Sequence, residues 1–506
     1  MSVKYNIPNE IVEFFNKEGG RSLLIKGGAG TGKTTFALQL LEEMCDPDHS
    51  FYLSTRVSDE SLYNMFPWLR EKEMRTRIVD ASRMFLQTIY QKDVKEEKPK
   101  LTEEELKRIR GARDFLKSIV AQKSPVPTTV DRSRLSALLE HYTMPEIVSV
   151  YNRVEEKLPN KTLFVMDSVE GLTTKYKIDP EELISALQKD LVENSNTNLV
   201  LVLEKDLDSH LDYLVDGVIS LSRSEIEGRR IREVRLDKLR ATEIRQPRYI
   251  TSLIGGRFKS FEPLIPNIKN TKQWEPLPDK PGYYSTGIPD LDNLLGGGFK
   301  KGSYNIIEVA ETVNTEEFWS ILRPIMLNFV NQSRGIVMVP SGGDSAEALR
   351  IDMTKFMRPE IFDMYVRVVD YFAVDSPHPY VLAVGSKDFL KNWKNVQSHL
   401  RGPSHKPIMD FTSFDTLEYL KGNDIAVKDL FVAVAALKVS EDIGIGLMKP
   451  GLKLTQEIMN MADTYLKIMS INKSTVIYGI KPHTILYVIT TDPEKGYPHV
   501  KLTPIV

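Results

Sequence analysis

A phosphate-binding loop between a strand and a helix leaves few choices of fold. Gly27-Gly28-Ala29-Gly30-Thr31-Gly32-Lys33-Thr34 spells such a loop completely. Ser22-Leu23-Leu24-Ile25-Lys26 before it reads as a short buried parallel strand, and Thr35–Leu41 after it has helical spacing. Glycines let successive N–H groups turn toward the α- and β-phosphates, and the helix start adds partial positive charge. Gly27, Gly28, Ala29, Gly30, Thr31, Gly32 and Thr35 are thereby candidate cofactor contacts. Lys33 is placed to reach the β/γ-phosphates, and the Thr34 hydroxyl to bind Mg²⁺. The loop predicts ATP or GTP binding with Mg²⁺, and an α/β domain around it.

Composition narrows the class. The chain has 506 residues, 41% hydrophobic and 27% charged, which fits a soluble protein of two large domains. It has no apolar run of membrane-spanning length and no signal-peptide pattern at its start, so no membrane insertion and a cytoplasmic location are expected. Cys45 is the single cysteine, which excludes an intramolecular disulfide or a cysteine-built metal site. A net charge of −2 argues against a surface that clings to nucleic acid throughout.

The chain divides where Pro263, Pro266, Pro276, Pro278 and Pro281 break up a polar stretch. We therefore expect a nucleotide-binding domain over 1–262, an extended linker over 263–284 and a second domain over 285–506. Within the first, a helical insertion is expected at about 85–160, with helices leading to Lys117, over Leu135–His141 and over Pro145–Lys157. The second domain repeats the first. Ile7-Pro8 opens a segment that passes through a glycine turn and a strand to the loop and Phe36; Ile288-Pro289 opens a like segment through Gly296-Gly297-Gly298 and Tyr304–Val309 to Phe318. Aligning the two phenylalanines sets Asn314 against Gly32, Thr315 against Lys33 and Glu316 against Thr34. The second copy is read as degenerate, without a working phosphate loop.

Thr162–Asp167 is an apolar strand ending in a carboxylate, the usual second site that orients Mg²⁺ through water. The alternative for Asp167 is a turn-forming aspartate. Asn198–Leu203 and Leu214–Leu221 read as further core strands, and Arg77–Ala81 as an intervening one. In the second half the strand candidates are Arg334–Pro340, Val366–Tyr371, Lys406–Phe411, Leu430–Leu437, Tyr465–Met469 and Thr484–Thr490. Asp410 or Asp415 stands where the Mg²⁺ carboxylate would be and is read as structural.

LVDGVISL at 214–221, Gly228-Arg229-Arg230-Ile231-Arg232 and VRLDKLR at 234–240 resemble the end of a KaiC-like domain of the RecA superfamily. Ser285–Gly298 resembles the opening of such a domain. IPNEIVEFF, SLLIKGGAGTGKTTFALQLL and YLSTRVS are similar to the archaeal gas-vesicle regulatory ATPases of the GvpD type. The resemblance spans both halves and implies two tandem RecA/KaiC-like domains, each a mostly parallel sheet flanked by helices.

KaiC-like ATPases carry two glutamates after the second core strand, one of which polarises the attacking water. Here Thr55 and Arg56 take those places, and neither can serve as a general base at neutral pH. Asp59 and Glu60 lie nearby as substitutes, against the alternative that they start a helix. Hydrolysis is expected to be slow or to depend on groups supplied by another subunit, and Arg56 is a candidate γ-phosphate contact. The resemblance further implies that Lys238 and Arg240 act in trans on the nucleotide of a neighbouring subunit, in a ring- or filament-like homo-oligomer. Ala241 replaces the usual glycine after them. The basic stretch 223–248 is otherwise a solvated hairpin edge or a docking site for an acidic partner or DNA. The function expected is an ATP-dependent regulator of a protein partner through nucleotide-dependent assembly; the alternative is a RecA-type DNA-handling ATPase, and an autokinase is disfavoured by the lost second loop.

Overall fold

The computed structural model describes residues 5–44, 47–80, 144–204, 210–264, 268, 270–370, 376–384, 389–453 and 455–506. Cys45, most of the expected insertion and its helices before Met144 lie outside them. The chain forms two compact units, the first of 1–224 and 232–260, the second of 225–231 and 261–506.

The first unit is built on a sheet of β1 (Ser22–Gly27), β2 (Ser50–Ser54), β3 (Ile78–Asp80), β4 (Thr162–Asp167), β5 (Thr197–Val202), β6 (Gly217–Ile226), β7 (Arg229–Leu239), β8 (Arg248–Ser252) and β9 (Lys259–Phe261). Their spatial order is β3-β2-β4-β5-β1-β6-β7-β8-β9. Pairing is parallel from β3 to β6, and β7 pairs antiparallel with β8. The central strands are apolar on both faces, as helices on both sides require. In β4, Leu163 and Val165 enter one core while Phe164 and Met166 enter the other. Helix α1 (Asn9–Phe15) buries Phe14 and Phe15 in the first of these, with Phe36 from α2 (Lys33–Met44). A helix at Pro145–Glu155 is the described part of the expected insertion, and it buries Ile147, Val150, Tyr151 and Val154 against the core.

The second unit repeats the plan. A two-stranded antiparallel sheet of β10 (Tyr283–Tyr284) and β11 (Phe299–Lys300) precedes β12 (Tyr304–Val309), β13 (Gly335–Val339), β14 (Val366–Asp370), β15 (Val381–Ala383), β16 (Ile408–Ser413) and β17 (Ile443–Met448). β18 (Thr464–Ile471), β19 (Ser474–Lys481), β20 (Tyr487–Thr491) and β21 (Val500–Pro504) follow. The order β14-β13-β16-β17-β12-β18-β19 matches β3-β2-β4-β5-β1-β6-β7 strand for strand. The fold is thus two tandem RecA-like α/β units, as the internal repeat implied.

Two expectations change. Leu430–Leu437 is not a strand but part of a helix, Asn423–Ser440. Leu430, Val434 and Leu437 are buried while Phe431 and Val432 are 68% and 67% exposed, a helical period that a short apolar run conceals. The core strand there is β17, whose Gly444 and Gly446 mask its signal. The proline-rich stretch is extended, yet it is packed rather than loose. Trp274 is buried in the second unit, its N–H donating to the Phe356 carbonyl at 2.7 Å and its indole to Asn328 at 3.3 Å. Among the described residues, no helix is long and apolar enough to cross a membrane.

Candidate nucleotide site

β1 ends at Gly27 and α2 begins at Lys33, so the loop between them turns at the carboxyl edge of the sheet, where α/β folds bind ligands. Two of its glycines are sterically required. Gly27 has φ +146°, and a methyl group there would collide with the Leu221 carbonyl oxygen of β6. Gly32 has φ +103°, and a methyl there would lie 2.9 Å from Leu253 Cδ1. The cradle is therefore backbone-walled. Thr31 Oγ1 donates to the Gly28 carbonyl at 2.9 Å, and Lys33 Nζ donates to the carbonyls of Gly27 at 2.6 Å and Gly28 at 2.9 Å. The lysine is folded over its own loop, in reach of any phosphate that enters. Ala29 and Gly30 are exposed at the rim, whereas Thr35 turns into the core.

Sheet order brings β4 to the same edge. Thr34 Oγ1 donates to Asp167 Oδ2 at 2.7 Å, and Tyr52 from β2 donates to that oxygen at 2.7 Å. Burial raises the Asp167 pKa, against which the Thr34 and Tyr52 hydrogen bonds and the Lys33 charge work. A hydroxyl and a carboxylate side by side at a helix start, facing a lysine, are hard-oxygen donors suited to Mg²⁺. The donor set fits an Mg²⁺–nucleotide, which Thr34 and Asp167 would hold.

Other expected residues fall elsewhere. Thr55 clamps the end of β4: its Oγ1 accepts from the Ser168 N–H at 2.8 Å and donates to the Ser168 carbonyl at 2.7 Å. Arg56 is ion-paired with Glu204 at 2.8 Å. Glu60 is exposed in the first turn of α3 (Asp59–Met65), a helix capped by Ser58, whose Oγ accepts from the Ser61 N–H at 3.3 Å. The structure does not bring Glu60 to Asp167. Lys238 and Arg240 stand at the opposite edge of the sheet within the unit. Lys238 Nζ donates to the carbonyls of Asp212 and Val215 at 2.8 and 2.7 Å, and Arg240 pairs with Asp216 at 3.2 Å.

Sequence reasoning missed two contributors. Arg232 is buried and its Nη1 donates to the Gly30 carbonyl at 2.8 Å, so β7 braces the loop from the side. Glu204 follows β5 and accepts from the Ser168 hydroxyl at 2.8 Å. A carboxylate closing a core strand was the available signal, the same one that picked out Asp167.

In the second unit the aligned helix begins at Thr315, as α2 begins at Lys33. Its start is closed by its own side chains. Asn314 Oδ1 accepts from the Glu317 N–H at 3.0 Å, and Glu317 Oε2 accepts from the Asn314 N–H at 2.8 Å. At the edge of β13, β16 and β17, Asp415 accepts from Ser341 at 2.6 Å and pairs with Lys449 at 3.7 Å. Asp410 is held inside β16, where burial pushes its pKa up to about 6. Both aspartates serve internal contacts.

Residues 11–110 and 128–237 match the family model of the GvpD gas vesicle protein P-loop domain, and residues 273–506 that of GvpD basic region 2. The chain belongs to the GvpD family. It is 26% identical to Protein GvpD2 and 24% identical to Protein GvpD1 of Halobacterium salinarum, in each case over 99% of this chain and 96% of the relative. These two relatives match this chain over nearly its whole length, and the P-loop model falls on the unit that holds Lys33 and Asp167.

Proposed function

We propose that this chain is a cytoplasmic, nucleotide-dependent regulator in gas-vesicle formation, binding Mg²⁺–ATP in the first unit only and acting on a protein partner through its nucleotide state. The observation that carries the reading is the contrast between the two helix starts. One presents glycine backbone, Lys33 and the Thr34–Asp167 pair; the other is sealed by Asn314 and Glu317. Family membership supports the gas-vesicle setting. Hydrolysis, on this reading, is slow, because Thr55 is spent on holding Ser168 and Arg56 on Glu204. Trans action by Lys238 and Arg240 within a homo-oligomer remains part of the proposal.

DNA handling is the weaker reading. Among the arginines of 223–248, Arg229 and Arg232 are buried, and the exposed Arg235, Arg240 and Arg245 are each paired with a carboxylate, Asp237, Asp216 and Glu13. A phosphate backbone would have to compete with those acids for them.

Equilibrium binding of a fluorescent ATP analogue tests the reading. The wild-type chain should bind one nucleotide, and Lys33→Ala should weaken it on the order of 100-fold, the scale of a lost charge-assisted phosphate contact. Stoichiometric binding that survives in Lys33→Ala would place a nucleotide in the second unit and overturn the asymmetry.

A further inference from the structure

We propose that Glu204 is the carboxylate that activates the attacking water, and that Arg56 restrains it; this rests on the Mg²⁺–ATP reading above. Position carries the inference. In the sheet β5 lies between β4 and β1, and Val202 is in register with Asp167 on one side and Ile25 on the other. The Leu203 N–H donates to the Ile25 carbonyl at 2.9 Å, which keeps the chain on the sheet up to the next residue. Glu204 is that residue. It therefore stands at the carboxyl edge between the strand that ends in the phosphate loop and the strand that ends in the Mg²⁺ carboxylate. Space beyond the γ-phosphate lies there.

Its side chain is built in rather than loose. The Glu204 N–H donates to Glu170 Oε1 at 2.8 Å, and the Ser168 hydroxyl donates to Glu204 Oε1 at 2.8 Å. Ser168 is the neighbour of Asp167 and is itself gripped by Thr55. Of the two residues that took the places of the expected glutamates, Arg56 thus reaches this carboxylate directly and Thr55 only by way of Ser168. Arg56 Nε lies 2.8 Å from the same Oε1, so that oxygen already accepts two donors and a water must compete for it. Release of Arg56 frees that oxygen for the water.

The step balances simply. A water oxygen bonds to the γ-phosphorus while Glu204 takes one of the water protons. The bond from phosphorus to the bridging oxygen breaks, its electron pair stays on ADP, and the proton passes from Glu204 to solvent as phosphate leaves.

Phosphate release at saturating Mg²⁺–ATP, read beside binding of the fluorescent ATP analogue, tests this in the full chain. Glu204→Gln should cut turnover by roughly 100-fold or more, the scale of general-base catalysis, with nucleotide affinity within about threefold of wild type. Arg56→Gln should raise turnover several-fold, and the double variant should be as slow as Glu204→Gln. Turnover in Glu204→Gln within about threefold of wild type overturns the assignment. A fall in Arg56→Gln overturns the restraint. Should the wild type bind nucleotide without hydrolysing it, Arg56→Gln must gain turnover that Glu204→Gln removes, and no gain refutes the inference. Absence of nucleotide binding by the wild type would instead refute the function proposed above.

Discussion

At the carboxyl end of β4, one oxygen of Asp167 receives hydrogen bonds from both Thr34 and Tyr52 while the surroundings resist its charge. Burial raises its pKa, so the proton leaves at higher pH than from an ordinary aspartate. Mg²⁺ needs the ionised form. The Mg²⁺-dependent part of nucleotide affinity should therefore weaken as pH falls, starting above the usual aspartate range. Tyr52→Phe removes a bond that favours the anion, so the loss should begin at still higher pH; a titration of nucleotide affinity with and without Mg²⁺ checks both. An unchanged profile in the variant would mean that Tyr52 does not tune this group. The loop and Asp167 were legible in the sequence because each is local: a run of eight residues, and a strand with an acid at its end. Glu204 and Arg232 were not, since their value comes from sheet order and cross-strand reach. Glu60 shows the converse, and the helix-start reading is the one the structure bears out. Glu60 is near Arg56 in sequence, but α3 carries it into the exposed first turn of a helix.

At the scale of elements, the glycines of β17 show how packing hides a strand. A methyl group on Gly444 would lie 2.5 Å from Tyr304 Cδ2 and 2.7 Å from Leu437 Cδ1. Tyr304 is fully enclosed between strand and helix, and only a bare backbone lets it fit. Gly444→Ala should cost about 1–3 kcal/mol of stability in the second unit through overpacking, read by chemical denaturation, with nucleotide binding in the first unit unchanged. A neutral result would show that the Tyr304 ring has room to move. The same crowding explains why the sequence pointed to Leu430–Leu437 as the strand. Val and Phe advertise β structure, and glycines that serve a neighbour's ring do not. Parallel strands such as β4 and β12 were read to the residue, because both faces are buried and their apolar runs are unbroken.

Across the whole molecule, duplication is the organising fact, and it was visible as the spacing from Pro8 to Phe36, matched to within one residue from Pro289 to Phe318. Both copies keep the sheet, and one keeps the glycine-rich loop with its lysine. Within a unit, Lys238 and Arg240 face away from the loop edge, so their role on a phosphate must be played on another subunit or not at all. Mixing Lys33→Ala with Arg240→Ala chains tests this. Partial recovery of phosphate release is expected, since each variant supplies what the other lacks; two inactive populations that stay inactive when mixed would rule out trans action.

The self-capped start at Asn314 carries a consequence for redesign. Glu317, a carboxylate of the chain's own, accepts from the Asn314 N–H, so this helix start is satisfied without a guest. Thr315→Lys would not by itself give the rear half a phosphate seat, because Glu317 would still hold that amide. Building one there takes several coordinated changes.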